Sequence, residues 1–273
     1  MPLYDQIGIG YDSTRRADPY IVGRLLHHLQ AEKTGTYLDV ACGTGNYTIA
    51  LANAGLVMHG LDQSARMIAT AQQKNYQITW HIGSAEALPF PDGTFSGAIC
   101  TLAIHHFPDL LPAFRETFRV LARGRIVLFT ATPEQMRGYW LNEYFPTAMA
   151  KSIAQMPSLN TVMRNLRSAG FSAIRAEPYV VRHDLQDLFL YSGKHRPEIY
   201  LDSGVRAGIS TITALADARE VEQGCKRLAS DIRSGRIADV TAAYRHDQGD
   251  YLFVVAAWDE VVEGYKWVGK SEE

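Results

Sequence analysis

The chain reads as an α/β protein: a doubly wound, mostly parallel sheet of seven strands with an antiparallel C-terminal hairpin and a largely helical insertion. Three observations predict this. Strand and helix signals alternate from Tyr37 to Thr132, the pattern of a parallel sheet with helices on both faces. The first strand runs into Gly43-Thr44-Gly45 and then into a helix. The second strand ends on an acid, Asp62.

The elements follow in order. "YLDVA" (37–41) is a short apolar run, and "NYTIALANAG" (46–55) has helical spacing with a stop at Gly55. "LVMHGLD" (56–62) reads as the second strand and "SARMIATAQQK" (64–74) as a helix that Ser64 caps. "ITWHIG" (78–83) is the third strand, and "FSGAICTLAIHHF" (95–107) contains the fourth. "LLPAFRETFRVLA" (110–122) is helical, with Phe114, Phe118, Leu121 and Ala122 on one face, and "RIVLFTAT" (125–132) is the fifth strand. Upstream, "DPYIVGRLLHHLQ" (18–30) is an amphipathic helix with Pro19 in its first turn. Downstream, 158–171 predicts a helix ending at Gly170 and 172–181 a strand. The stretch 236–258 predicts two strands around an Asp247-Gln248-Gly249-Asp250 turn.

Between these, His183 to Asp247 breaks the alternation and carries a helical pattern from Asp217 to Ile232. The expected organisation is a core of residues 1–182 and 248–273, with 183–247 inserted as a lid over the strand ends. This insert has nine Lys+Arg against ten Asp+Glu and so presents no basic face.

Composition bounds the function classes. At 273 residues, with 47% hydrophobic and 21% charged residues, the chain fits one large domain, or a domain plus a lid. A net charge of -2 and a pI near 6.5 argue against a nucleic-acid-holding protein. Cys42, Cys100 and Cys225 are odd in number and widely spaced, which suggests neither a disulfide framework nor zinc and points to a cytoplasmic location. The start lacks a signal pattern, and the longest apolar run, Tyr251 to Trp258, is too short to span a bilayer.

A strand, Gly-x-Gly and a helix N-terminus suit a phosphate or a carboxylate, because glycine lets backbone approach closely and the helix offers free N–H groups. A dinucleotide fingerprint wants a third glycine where this chain has Thr48. Asp62 is placed to accept both hydroxyl hydrogens of a ribose, or to cap the next helix. Gly83, Ser84 and Ala85 lie where a flat adenine ring would slide in.

The set "LDVACGTGNYTIALA", "HGLDQSARMIATAQ", "GSAEALPFPDGTFSGAIC", "LAIHHFPD" and "FRVLARGRIVLFT" resembles the class I S-adenosylmethionine-dependent methyltransferases, in particular their type 11, ubiquinone-biosynthesis-like small-molecule branch. The resemblance covers about residues 1–132 and extends more weakly over 158–181 and 250–258. It implies a Rossmann-like fold, S-adenosylmethionine as cofactor and S-adenosylhomocysteine as product. By the resemblance, Asp39 holds the loop or the methionine amino group, and Ala41, Gly43, Thr44 and Gly45 cradle the methionine part. Asp62 takes the ribose, Gln63 and Met67 flank the adenine, Ala85 offers backbone to it, and Glu86 orders that loop. Ser84 departs from the aspartate common in relatives. Thr101 and Leu102 line the path to the acceptor. "YDSTRR" (11–16) resembles a segment that closes over the cofactor, with Tyr11, Arg15 or Arg16 near its carboxylate.

Methyl transfer from a sulfonium is an in-line displacement, so the protein's work is positioning and desolvation, with a base useful for hydroxyl, ammonium or carbon-acid acceptors. His105 and His106, beyond the fourth strand, are the candidate bases. The aromatic stretch 137–145 offers Tyr139, Trp140, Tyr144 and Phe145 as walls for a small-molecule acceptor, and 191–200 offers Tyr191, Lys194 and Arg196. Neither His27-His28 nor His105-His106 has metal-ligand spacing, so no metal is expected. A nicotinamide oxidoreductase is disfavoured by the missing third glycine. A silent cofactor-binding protein and a macromolecule-directed methyltransferase are the alternatives, the latter without a basic patch or a motif for nucleic acid. The acceptor atom and the oligomeric state are not encoded in any motif.

Overall fold

The computed structural model describes residues 14–258, so the expectation for Tyr11 lies outside the described residues. A single sheet runs in the order β3-β2-β1-β4-β5-β7-β6. Its strands are β1 (Thr36–Val40), β2 (Val57–Asp62), β3 (Thr79–Ile82), β4 (Phe95–Thr101), β5 (Leu121–Thr130), β6 (Ala173–Tyr179) and β7 (Tyr251–Ala257). The first five pair in parallel, while β7 runs antiparallel between β5 and β6. The order reverses between β1 and β4, which creates the crevice where doubly wound sheets bind ligands.

Alternate residues serve opposite faces. Leu128, Leu38, Cys100 and Val254 pack with helices Leu110–Val120 and Leu159–Ala169 on one side. Val127, Phe129, Ile99 and Phe253 pack on the other, where the core continues into the helical cap. The entry helix Pro19–Leu29 begins as the sequence suggests: Asp18 accepts from the Tyr20 and Ile21 N–H groups and Pro19 occupies the first turn. Ser64 caps Ala65–Lys74 by accepting from Met67 N–H.

The stretch 236–258 corrects the sequence reading. Ile237–Ala243 is a helix, and only Tyr251–Ala257 is a strand; its antiparallel partners are β6 and β5. Val240 is buried while its neighbours are not, so one apolar anchor per turn suffices and no alternating face exists for a strand.

The cap is also larger than the insert. Helices Leu141–Tyr144 and Pro146–Gln155 pack with the 183–247 segment, and helix Pro133–Arg137 packs on Pro146–Gln155. Tyr144 donates to Asp231 (2.9 Å), Glu220 accepts from Thr147 and Ala148 N–H, and Ser152 meets Thr211 hydroxyl to hydroxyl at 2.9 Å. Trp140, Tyr139, Tyr191, Tyr200 and Phe145 form the interior. Among the described residues no helix is long and apolar enough to cross a membrane.

Candidate functional site

Two cavities open beyond the carboxyl ends of β1 and β4. The first, about 960 Å3 including its open mouth, is walled by the loop after β1, the end of β2, the turn after β3 and the segment after β4. Its lining includes Ala41, Gly43, Thr44, Asp62, Gln63, Met67, Ser84, Ala85, Glu86, Thr101, Leu102, Arg15 and His106, all named from the sequence, together with Cys42, Asn46, Tyr47 and Asp187.

Backbone geometry shapes this cleft. Ala41 and Leu102, the residues just past β1 and β4, both take left-handed φ (58° and 54°), and Leu102 N–H donates to Phe129 O at 2.7 Å. Non-glycine residues pay about 1–2 kcal/mol for that conformation, so packing holds the chain there. Gly43 (φ +55°) faces open space: an added Cβ would meet nothing within 4 Å. Gly45 does not line the cleft, which corrects its assignment. A Cβ there would lie 2.2 Å from the Trp80 ring, so this glycine admits the indole that β3 sends across β2, and it starts helix Asn46–Asn53.

Asp62 ties the loops together. Its Oδ2 accepts from Gly43 N–H (2.9 Å) and its Oδ1 from Ser64 N–H (2.8 Å). Ser64, not Asp62, caps the helix. Glu86 accepts from Asp109 N–H (3.2 Å) and Ser84 from Glu86 N–H (3.2 Å), which fixes the turn after β3.

Asp39 lies beneath the cleft rather than in it. Its Oδ2 accepts from the Thr48 hydroxyl at 2.6 Å, so the residue in the third-glycine position anchors the strand carboxylate. The other oxygen, Oδ1, is buried without a partner. Burial, opposed by the Thr48 bond and reinforced by the Asp62 charge, raises the carboxyl to about pKa 7.

Arg16 is exposed and outside the cleft; Arg15 takes the place expected of it. The Arg15 guanidinium grips Asp187 (2.6 and 3.1 Å), which also accepts from the Tyr47 hydroxyl (3.1 Å). Asp187 is 1% exposed and belongs to the cap. Leu188 N–H donates to Thr14 O and Gln186 N–H to Asp18, so this cap segment is laced to the strand of chain entering the first helix. Sequence reasoning missed Asp187 because its partners are far away in the chain.

The second cavity, about 610 Å3, meets the first at Arg15 and Leu102. Met136, Met156, Phe189, Leu190 and Ile209 give it apolar walls, and Thr130, Ser152, Ser210, Thr211, Tyr139 and Tyr251 bring hydroxyls. His105 faces this cavity and His106 the first, their rings 4.0 Å apart in the turn Ile104–His106. Burial, then the neighbouring His106, lowers His105 to about pKa 3; burial also lowers His106. His105 Nδ1 is buried and has no partner among the described residues.

Of the residues offered as acceptor walls, only Tyr139 reaches this cavity. Trp140 and Tyr191 are buried against each other, Trp140 N–H donating to the Tyr191 hydroxyl (3.3 Å), and line another cavity; Phe145 lines neither. Tyr144 is consumed by Asp231. Lys194 is held by the fully buried Asp250 (2.8 and 2.9 Å), and Arg196 donates to Leu185 O. Aromatic content marks a packed interior as readily as a wall, and buried cations are where buried carboxylates need them. Among the described residues there is no cluster of three metal-ligating side chains.

Comparison with known proteins agrees with this geometry. Residues 38–129 match a family model described as a methyltransferase domain. The demethylmenaquinone methyltransferase of Bacillus licheniformis is 37% identical over 118 residues, 41% of this chain and 51% of that protein. The 2-phytyl-1,4-naphtoquinone methyltransferase of Thermosynechococcus vestitus is 31% identical over 211 residues, 64% of this chain and 92% of that protein. The chain thus spans about half the first relative and nearly all of the second. A crystal structure from Anabaena variabilis, given as a methyltransferase of an antibiotic biosynthesis pathway, superposes with a TM-score of 0.80 at 34% identity, covering 89% of this chain and 99% of that one.

Proposed function

The chain belongs to the class I S-adenosylmethionine-dependent methyltransferases, and from that premise we propose that it methylates a flat, quinol-like small molecule held under the helical cap. The observation that carries this reading is the meeting of the two cavities at Leu102 and Arg15, at the switch point of the sheet. One is a polar cleft floored by backbone; the other is an apolar chamber with hydroxyls. A two-substrate displacement needs two such chambers with a shared opening.

S-adenosylmethionine brings a methyl group already activated on a sulfonium. The residues present fit it. Asp62 lines the cleft at the end of β2 with a carboxylate whose chemistry suits ribose hydroxyls, Gly43 leaves space against the loop, and Met67 and Ala85 bound a slot for the base. In this reading Arg15 and Asp187 close the junction and exclude water once both chambers fill. His105, neutral throughout the physiological range, stores no proton there; it orients the acceptor by a hydrogen bond through Nδ1. The acceptor class comes from the relatives, whose names place their substrates among naphthoquinone-type molecules. The mixture of thioether, aromatic and hydroxyl walls suits a ring with oxygens at its edge. Segment 183–247 acts as the lid in this scheme, with 133–155 as its base.

Calorimetric titration with S-adenosylhomocysteine tests the donor cleft: Asp62→Ala should weaken binding about 100-fold, since hydrogen bonds to a charged group are worth about 1.5–3 kcal/mol each. Equal affinity would reject the ribose assignment. Reduced 1,4-naphthoquinone tests the acceptor: it should raise the melting temperature of the S-adenosylhomocysteine-bound protein and, with S-adenosylmethionine, gain a methyl group by mass. Failure there with intact cofactor binding would remove the acceptor class and leave the donor.

A further inference from the structure

A third cavity, about 860 Å3, lies in the cap and shares no lining residue with the other two. Its chemistry differs from theirs. Lys194, Arg245 and three imidazoles (His183, His195 and His246) face it, and no carboxylate is among its lining residues. Yet the 183–247 segment as a whole is charge-balanced. The nearest acid, Asp250, is fully buried behind Lys194 and already accepts from Lys194 Nζ and from Val181 N–H (2.7 Å). Arg245 has no acidic partner among the described residues, and the buried His246 Nδ1 has no partner there either. His246 stands close to the chain because Gly138 lacks a side chain; a Cβ there would lie 2.5 Å from its Nε2. His195 places Nε2 2.9 Å from Val181 O and stacks on His183 at 3.8 Å. Trp140, Tyr191 and Tyr244 supply flat faces.

We propose that this cavity binds a flat organic anion, an aryl phosphate or aryl carboxylate. Its charged group meets Arg245, Lys194 and His246, and its ring lies against the aromatic walls. A guanidinium suits a planar, two-point contact with either group, and a ring adds the apolar burial that a bare anion lacks. The site is separate from methyl transfer but touches it through one layer of rings. Tyr191 stacks on Tyr139 at 4.0 Å with an interplanar angle of 7°, and Tyr139 lines the acceptor cavity.

The test titrates the full chain with phenyl phosphate, benzoate and, as a neutral control, phenol, read by calorimetry. At least one of the two anions should saturate a single site while phenol does not. Arg245→Gln should weaken that binding at least fivefold. Arg245 is exposed and lines neither of the other cavities, so the variant should keep the wild-type melting temperature and S-adenosylhomocysteine affinity. Saturating S-adenosylhomocysteine should not displace the anion. The proposal is overturned if neither anion saturates, if phenol binds equally, if Arg245→Gln binds as well as wild type, or if S-adenosylhomocysteine displaces the probe.

Discussion

The cleft proposed for the donor and the cavity proposed for the acceptor sit side by side but are built in opposite ways. The cleft is made mostly of backbone: the left-handed turns at Ala41 and Gly43, the loop N–H tied to Asp62, and the turn after β3. These pieces are the ends of consecutive parallel strands. The acceptor cavity is made of side chains from Arg15, His105, Met136, Ser152, Phe189 and Ile209 onward to Tyr251. A site built from backbone is rigid in what it recognises. A site built from side chains on helices can be rebuilt by substitution without touching the sheet.

Arg15 lines both and is held by Asp187, and removing Asp187 is the strongest way to separate them. Asp187→Ala leaves the Arg15 guanidinium, whose side chain is only 12% exposed, without its buried partner. Breaking such a pair costs about 3–5 kcal/mol. The expected outcome is a clearly lower melting temperature, faster protease cleavage within 183–247 and loss of turnover. S-adenosylhomocysteine should still bind through Asp62. If cleavage and melting match wild type, the cap is not latched through this pair.

The same contrast explains what was legible in the sequence. The strands through Thr130, Gly43 and Asp62 could be read because their constraints are local: period-two burial, a turn, an acid at a strand end. The acceptor residues could not, because Met136, Ser152, Ile209 and Tyr251 converge only after the cap folds. Aromatic density around Tyr139–Phe145 pointed to the right segment and the wrong face, since Trp140 and Phe145 fill the cap interior. Lys194 lines the third cavity rather than the second, and nothing local reveals that Asp250 is buried behind it. Ile237–Ala243 was misread as a strand because a short helix with a single buried residue has no periodic signature.

The two loop glycines sharpen the comparison within the cleft itself. Gly45→Ala combines left-handed φ with a clash against Trp80, for about 3 kcal/mol of lost stability. Gly43→Ala pays only the conformational cost, about 1 kcal/mol, but pushes a methyl into the cleft. Thermal melts should therefore rank Gly45→Ala as the less stable variant, and S-adenosylhomocysteine titration should rank Gly43→Ala as the weaker binder when both are measured well below melting. The reverse pairing would mean that Gly45, not Gly43, faces the ligand.

On the acceptor side, His105→Ala should lower kcat about 100-fold, equivalent to about 2.7 kcal/mol, with cofactor affinity unchanged. Because His105 sits near pKa 3, the rate should show no ionisation of this imidazole between pH 5 and 8. A wild-type acid limb near pH 6.5 that disappears in the variant would show instead that His105 titrates in the neutral range and takes the proton.

The last effect lies beneath the donor loop. Asp39 titrates near 7 in the folded chain and at its ordinary 3.8 when unfolded, so between those values the folded state binds the extra proton. Stability from this group is therefore complete below pH 3.8 and is lost as pH rises through 7, where an ionised carboxylate is buried with one oxygen unpartnered. Asp39→Asn keeps an acceptor for the Thr48 hydroxyl and removes the charge. It should stabilise the cofactor-free protein at pH 8 more than at pH 5, by on the order of 2 kcal/mol. Denaturant melts at the two pH values measure this directly. An equal change at both would mean that Asp39 remains ionised across the range, and that the loop above it, rather than burial, governs its charge.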